Sequence, residues 1–485
     1  MTNTEDKPVR VRMAPSPTGS FHVGSARTAL FNYLFARHHD KLGGATFVLR
    51  VEDTDQQRNE PEFEKIIYQA MDWLGLHPDE GPQNGGAFGP YRQSERFYFY
   101  QDYCESLLET GAAYKAFETP DELAAMREAQ KKNKQPPRYN GAHRDLSEQE
   151  RLKFEAEDQP FVVRLRIPDG ETGWQDLVRG RVVWQNTEID DFVIQKSDGS
   201  PTYNFACAVD DALMRITHVI RGEDGLSNTP RQLLLYRALD FDAPQFAHLP
   251  FLLGADRSKL SKRHGAVNLL QFRDEGIWPD AMFNYLALLG WNPGDGETQE
   301  IFSREELIER FSLDGVNKAG AIFDAQKLAW VNTQYLKTMP IERFVELAQP
   351  HLKSDVSPTE QYSLHALDMA RERIHALEEI GPAADYFFDD VYEIDAKGEA
   401  KHLTSESRAL LSKLRESLSA LEEWNHDSIE AALRELSEKL EIKPAALIHP
   451  ARMAVSGRTV GPSVFELLEM LGRDRVLLRL EKFGA

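Results

Sequence analysis

The sequence predicts an α/β protein in which a parallel-sheet domain is split by an inserted α+β segment and followed by all-helical domains. Three observations carry that expectation. The N-terminal stretch reads strand, rigid turn, helix, strand, the signature of a parallel βαβ unit. The same logic resumes after a polar, basic stretch in the middle of the chain. Beyond about Arg273 strand patterns fade, and apolar residues recur at helical spacing between prolines.

Taken in order, Val9 to Met13 alternate apolar and basic residues, as a short strand does. In Ala14-Pro15-Ser16-Pro17-Thr18-Gly19 two prolines and a glycine forbid helix and force a fixed turn. Ala26, Leu30 and Leu34, beside Phe31 and Phe35, then give a helix through about Arg37, and Thr46 to Val51 is a compact apolar strand. From about Thr110 to Asp191 the chain is polar and basic. Within it Phe161, Val163, Leu165 and Ile167 alternate before the turn Pro168-Asp169-Gly170. Ile216 to Ile220 is a further strand, ending at Arg221-Gly222-Glu223-Asp224. Thr229 as N-cap, Pro230 at the first helical position and Gln232 open a helix that Leu233 to Leu239 continue. Pro250 to Leu253 reads as another buried strand. Near the end, Asp427-Ser428-Ile429-Glu430 has a capping-box pattern, with Ile429, Leu433, Leu436 and Leu440 along one face. Ser463-Val464-Phe465-Glu466 repeats it, and Pro444, Pro450 and Pro462 punctuate the region.

The chain has 485 residues and a formal net charge of −21. At about 150 residues per domain such a length suggests roughly three domains. Cys104 and Cys207 are the only cysteines, too few for a disulfide framework or a CxxC metal site. No apolar run approaches the length that spans a bilayer, and Met1 to Lys7 lack the basic and apolar regions of a signal peptide. A reduced, cytoplasmic protein with no membrane partner is therefore expected. The acidic balance argues against indiscriminate binding to nucleic acid or anionic membrane. Phosphate is nonetheless met by local patches, and two exist: Lys131, Lys132, Lys134, Arg138 and Arg144, and then Arg257, Lys259, Lys262 and Arg263. For the first alone, a solvated face is the simpler reading.

Two segments suit phosphate chemistry. The rigid turn leads to Phe21-His22-Val23-Gly24 at a helix start, where unpaired N–H groups and a partial positive charge accept anions and a glycine permits close approach. Lys259-Leu260-Ser261-Lys262-Arg263 concentrates cations that would serve a developing negative charge. A lone His-x-Gly or a lone basic loop would be ordinary surface structure.

Together they resemble a known family. Arg12 through Tyr33 resembles the HIGH region of glutamyl-tRNA synthetases, and Lys259 to Arg263 resembles their KMSKS loop. Arg50-Val-Glu-Asp-Thr-Asp55, Lys196 to Tyr203, Thr217 to Asp224, Asn228 to Gln232 and Lys327 to Asn332 match further family segments, in order along essentially the whole chain. The resemblance implies a class I enzyme that joins glutamate to tRNA-Glu through an adenylate, with ATP and Mg²⁺. It implies a Rossmann-like catalytic domain (1–109 and 196–265), an acceptor-end-binding insertion (110–195), a helical connecting domain (266–330) and a helical anticodon-binding domain (331–485). By the same match His22 and Lys262 are the catalytic pair. Ser16, Gly24, Lys259, Ser261 and Lys262 bind ATP. Arg12, Ala14, Ser16, Glu52, Tyr203 and Arg221 bind glutamate, the arginines taking the carboxylates and Glu52 the α-amino group. Arg452 and Arg458 are candidate tRNA contacts, with surface arginine as the simpler alternative.

Departures from the family pattern are Ser25 in place of a second histidine, Cys207 where some relatives carry Asn, and Gly225 where many carry His. In the insertion many bacterial members bind zinc. Here Tyr114 to Thr119 has no cysteine and Tyr139 to Arg144 offers only His143, so no structural zinc is expected. The family is mostly monomeric and mostly activates glutamate only with tRNA present, and both properties are expected here. Three rivals differ in what they require. A glutaminyl-tRNA synthetase would have a β-barrel anticodon region. A shorter relative that glutamylates a tRNA base would lack the C-terminal third. A non-catalytic tRNA-binding protein would have damaged ATP motifs.

Overall fold

The computed structural model describes residues 8–55, 59–136, 138–261, 268–294, 296–357 and 359–484. The chain divides into two compact units, Met1–Phe272 with Met282–Asp324, and Arg273–Ala281 with Ala325–Ala485.

The first unit runs β1 (Val9–Met13), α1 (Val23–Gly43), β2 (Ala45–Leu49), α2 (Pro61–Trp73), α3 (Phe97–Glu109), β3 (Ala113–Ala116), α4 (Pro120–Lys132), α5 (Glu148–Ala156), β4 (Val162–Leu165), β5 (Glu171–Asp176), β6 (Gly180–Gln185), β7 (Val193–Gln195), α6 (Tyr203–Leu213), β8 (His218–Gly222), α7 (Thr229–Ala238), β9 (Gln245–Leu249), β10 (Leu252–Leu253) and β11 (Ala321–Ile322), with short helices between the last two. Its main sheet has six strands in the order β2-β1-β8-β9-β5-β6. All neighbours are parallel except the hairpin β5–β6. The opening βαβ unit is thus the heart of a parallel sheet, as its sequence predicts.

The basic residues of β1 are not on a solvated face. β1 is an inner strand of the sheet, and both its arginines are buried. Arg10 is paired with Glu80 at 2.8 Å and Arg12 with Asp211 at 3.1 Å. The strand expected at Pro250–Leu253 is displaced. The sheet strand is β9, immediately before it, and only Leu252–Leu253 is extended, pairing with β11. Gln245 and His248 hide β9 from a hydropathy pattern, yet His248 is fully buried because Asp176 satisfies its ring. Thr229 is the first residue of α7, with Asn228 as N-cap, and its hydroxyl turns inward instead of capping.

In the 110–195 segment β3, β4 and β7 form a separate antiparallel sheet, whereas β5 and β6 extend the main one. The helices between β3 and β4 open with capping boxes, Thr119 with Glu122 and Ser147 with Glu150. His143 accepts a hydrogen bond from the Phe117 amide at 2.9 Å, lies 3.3 Å from Glu118 and has its ring 5.3 Å from that of Phe154, tilted against it. A polar and aromatic knot therefore organises the place where the sequence offers one imidazole.

Among the described residues, the regular elements of the second unit are all helices. Leu336, Phe344, Leu367, Leu411, Leu433 and Leu467 belong to its continuous core. The helix expected from Asp427 starts at His426, because Asn425 is the cap and shares a capping box with Ser428. Ser463 does sit at a helix N-cap but makes no capping hydrogen bond. Arg458 is committed to Glu393 at 3.1 Å and to the Pro382 carbonyl, and Arg452 donates to the Pro462 carbonyl.

Candidate active site

The carboxyl ends of β1 and β8 open onto a cleft of about 660 Å³. This is where open parallel sheets bind ligands, since loops leave the strands there and helix N-termini face the same space. Arg12, Ala14, His22, Gly24, Glu52, Tyr203, Arg221, Lys259 and Ser261 all line it. Ser16 does not. It is exposed on the turn, and its carbonyl accepts from the Thr18 amide at 2.9 Å. Lys262 and Arg263 lie outside the described residues.

The turn after β1 is fixed from outside, since the Glu52 amide donates to the Pro15 carbonyl at 3.0 Å. It delivers His22 as the N-cap of α1, with Nδ1 accepting from the Ser25 amide at 3.2 Å. That acceptor role places the ring proton on Nε2. Loss of hydration inside the cleft lowers the His22 pKa, Asp224 opposes and Lys259 adds to the effect, so the ring is neutral at pH 7. A Cβ on Gly24 would stand 3.1 Å from both Cε1 and Nδ1 of His22. A side chain there would press on this ring, so Gly24 bears on its position as well as on access.

The opposite wall rests on buried charges. Arg12, 4% exposed, donates through Nε to Asp211, 2% exposed, at 3.1 Å. Arg50, fully buried, reaches the same carboxylate at 2.6 Å and Glu52 at 3.0 Å. Burial raises the Glu52 pKa, while Arg50 and Arg12 pull against it. Cys207 lies 3.6 Å from Arg50 Nη2, but burial, with Asp211 and Glu52, pushes its thiol up to about 12, so it offers no thiolate nucleophile. Asp53 accepts from the amide and hydroxyl of Ser94 at 2.8 and 2.6 Å and so holds the segment that presents Glu52. Tyr203, the first residue of α6, is 43% exposed and opens into the cleft.

Arg221 ends β8 with its guanidinium tied down on one side. Nε donates to His248 Nε2 at 3.1 Å, and Nη2 donates to the Thr229 hydroxyl at 2.7 Å and the Gly225 carbonyl at 3.1 Å. Its Nη1 is buried with no hydrogen-bond partner. Beyond β10, Leu260 returns to Leu252 through a 2.8 Å backbone bond. This closes a turn that carries Lys259 over the Phe251 ring at 4.3 Å.

A cleft that gathers cations, a buried carboxylate and the N-terminus of α1 suits a substrate with carboxylate, ammonium and phosphate groups. Residues 8–330 match the family of tRNA synthetases class I (E and Q), catalytic domain, and residues 343–483 match the anticodon binding domain family. The chain is 48% identical to the glutamate–tRNA ligase of Moorella thermoacetica, over 98% of this chain and 97% of that protein. It belongs to the glutamate–tRNA ligase family. A similar curated ligase from Desulforudis audaxviator is 46% identical over 98% of this chain and 96% of its own length. A crystal structure of a glutamate tRNA ligase from Elizabethkingia meningosepticum in complex with its amino acid has a TM-score of 0.88 and 37% identity, covering 98% of this chain and 99% of that one.

Sequence reasoning missed Asp211, His248 and Asp176, none of which faces the ligand space directly. For Asp211 a signal existed: Asp210-Asp211 sits in the apolar run of α6, and adjacent acids on a buried helix require buried cations. For His248 nothing in the local pattern marked it.

Proposed function

We propose that this cleft activates glutamate with ATP, supplied as its Mg²⁺ complex, and transfers it to the 3′ end of tRNA-Glu. A glutamate α-carboxylate oxygen attacks the α-phosphorus while the bond to pyrophosphate breaks. The terminal ribose hydroxyl of the tRNA then attacks the activated carbonyl carbon, and AMP leaves with the bonding electrons. Little covalent work falls to the protein, so positioning and charge stabilisation dominate.

The observation that supports this reading is Arg12, Arg221 and Glu52 lining one cleft with His22 and Gly24. Two guanidiniums match two carboxylates, and one buried carboxylate matches one ammonium. Binding an ammonium beside Glu52 restores the ionised form that burial disfavours. Tyr203 and Ala14 complete the amino-acid side. His22 Nε2–H and the amides at the start of α1 face the triphosphate, and Lys259, Ser261 and Lys262 take the charge that develops on pyrophosphate. Ser16 acts through the shape of the turn.

The remaining assignments follow from the same reading. Residues 1–109 and 196–265 form the catalytic domain, 110–195 the acceptor-end-binding insertion, 266–330 the connecting domain and 331–485 the anticodon-binding domain. The protein acts as a cytoplasmic monomer, and no helix among its described residues is long and apolar enough to cross a membrane. Glutaminylation of tRNA-Gln is the nearest rival and calls for a β-barrel anticodon region. Among the described residues the regular elements from Ala325 onward are helices, which favours glutamate. The test is pyrophosphate exchange with glutamate, tRNA-Glu and ATP. Exchange that requires glutamate and is lost in Lys262→Ala supports the reading, and exchange driven by glutamine alone refutes it.

A further inference from the structure

A chain of buried groups runs behind Arg221. Asp176, at the end of β5, holds His248 of β9 through a 2.5 Å contact to Nδ1, and His248 Nε2 accepts from Arg221 Nε at 3.1 Å. The side chains of Asp176 and His248 are both fully buried. The ring also lies 6.1 Å from Phe246, nearly parallel to it, so its plane is fixed. We propose that Asp176 and His248 are positioning residues that set the orientation of Arg221, and so the affinity for the amino-acid carboxylate. The proposal rests on the reading of Arg221 as a glutamate ligand.

The chemistry depends on one tautomer. Arg221 Nε–H needs a lone pair opposite it, so the proton of His248 must sit on Nδ1, where Asp176 accepts it. Asp176 is itself oriented. Its Oδ1 accepts from the amides of Val178, Arg179 and His248 at 3.1, 2.9 and 3.2 Å, which leaves Oδ2 for the ring and for a longer bond from Trp174 Nε1 at 3.3 Å. Burial disfavours a charged imidazole and lowers the His248 pKa, with Asp176 opposing. With Nε and Nη2 held, the guanidinium plane has one remaining buried donor, Nη1, for an incoming carboxylate.

Asp176→Asn tests this with almost no change of shape. The three backbone amides keep the Asn oxygen, so its NH₂ faces His248 Nδ1 and loses the longer bond from Trp174 Nε1. The ring proton must then move to Nε2, where it confronts Arg221 Nε–H and competes with Arg221 Nη2 for the Thr229 hydroxyl, 3.0 Å from Nε2. The expected result is a rise of at least about tenfold in the glutamate KM, equivalent to one lost factor of ten in affinity, with the ATP KM within twofold of the unaltered chain. His248→Gln puts an amide oxygen near the Nε2 position and is expected to keep the glutamate KM within about threefold, whereas His248→Phe fills the space without an acceptor and is expected to lose it like Asp176→Asn. An unmoved glutamate KM in both Asp176→Asn and His248→Phe overturns the proposal. So does an equal rise in the glutamate and ATP KM, or equal loss in the Gln and Phe variants, because each marks a merely structural role. If Asp176→Asn does not fold, the Gln and Phe pair decides alone. The unaltered chain, assayed alongside, separates the two readings: absence of glutamate transfer there overturns both, while transfer with unmoved variants overturns only the relay.

Discussion

Asp211→Asn deletes a charge that two buried cations share while preserving the size of the side chain. Arg12 Nε and Arg50 Nη1 stand 3.1 and 2.6 Å from the same Oδ1, and none of the three side chains is more than 5% exposed. Removing one partner of a buried ion pair costs about 3–5 kcal/mol, since the remaining charge cannot rehydrate. Glu52 still contacts Arg50 at 3.0 Å, which keeps the loss from exceeding that range. At about 2–4 °C per kcal/mol for a large domain, the transition should fall by about 10 °C. Scanning calorimetry is the assay, read on the transition that ATP shifts upward, because that one belongs to the ligand-binding unit. Arg12 and Arg50 hold the Asp211 carboxyl below its usual value of 3.8 despite burial, which acts the other way. A depressed native pKa contributes stability above the unfolded value and loses it as pH falls through the native one. The gap between the parent chain and the variant should therefore narrow below about pH 4. A shift under 2 °C at pH 7 would refute the view that this carboxylate carries the wall of the cleft.

Three further perturbations report on separate parts of the account. Gly24→Ala sets a methyl 3.1 Å from the His22 ring, so the ATP KM should rise about tenfold with the glutamate KM unchanged, measured by pyrophosphate exchange. Glu52→Gln keeps a neutral acceptor but removes the charge facing the ammonium. The glutamate KM should rise by about one to two factors of ten, and an unchanged value would place the ammonium elsewhere. Gly457 ends a helix at φ +70°, and a Cβ there would lie 2.3 Å from the Glu393 carbonyl. Gly457→Ala should lower the second calorimetric transition by about 1–3 kcal/mol equivalent and leave glutamate activation at the cleft unchanged.

Much of the fold was legible because local rules and global packing agree in the opening unit. Two prolines, a glycine and a helical apolar stripe allow one arrangement of β1, turn and α1, and that arrangement places His22 and Gly24 at the cleft. Legibility failed where polar residues are buried. β9 carries a histidine and a glutamine, so hydropathy moved the expected strand to Pro250–Leu253, and Thr229 reads as a cap although Arg221 claims its hydroxyl. His248 is satisfied by Asp176, 72 residues away, and Thr229 by Arg221 at the end of β8, across the turn between β8 and α7. Such pairings follow from topology and leave no local pattern. Most of the residues that line the cleft were therefore legible from motif and chemistry, while those that hold them in place emerged only with the sheet order.

The most direct test of the central claim is aminoacylation with labelled glutamate and ATP, run separately on purified tRNA-Glu and tRNA-Gln, with labelled glutamine as control. The account predicts glutamate on tRNA-Glu, and charging of tRNA-Gln as well would mark a non-discriminating enzyme with the same chemistry. Glutamine on tRNA-Gln, with no glutamate transferred to either tRNA, would contradict it.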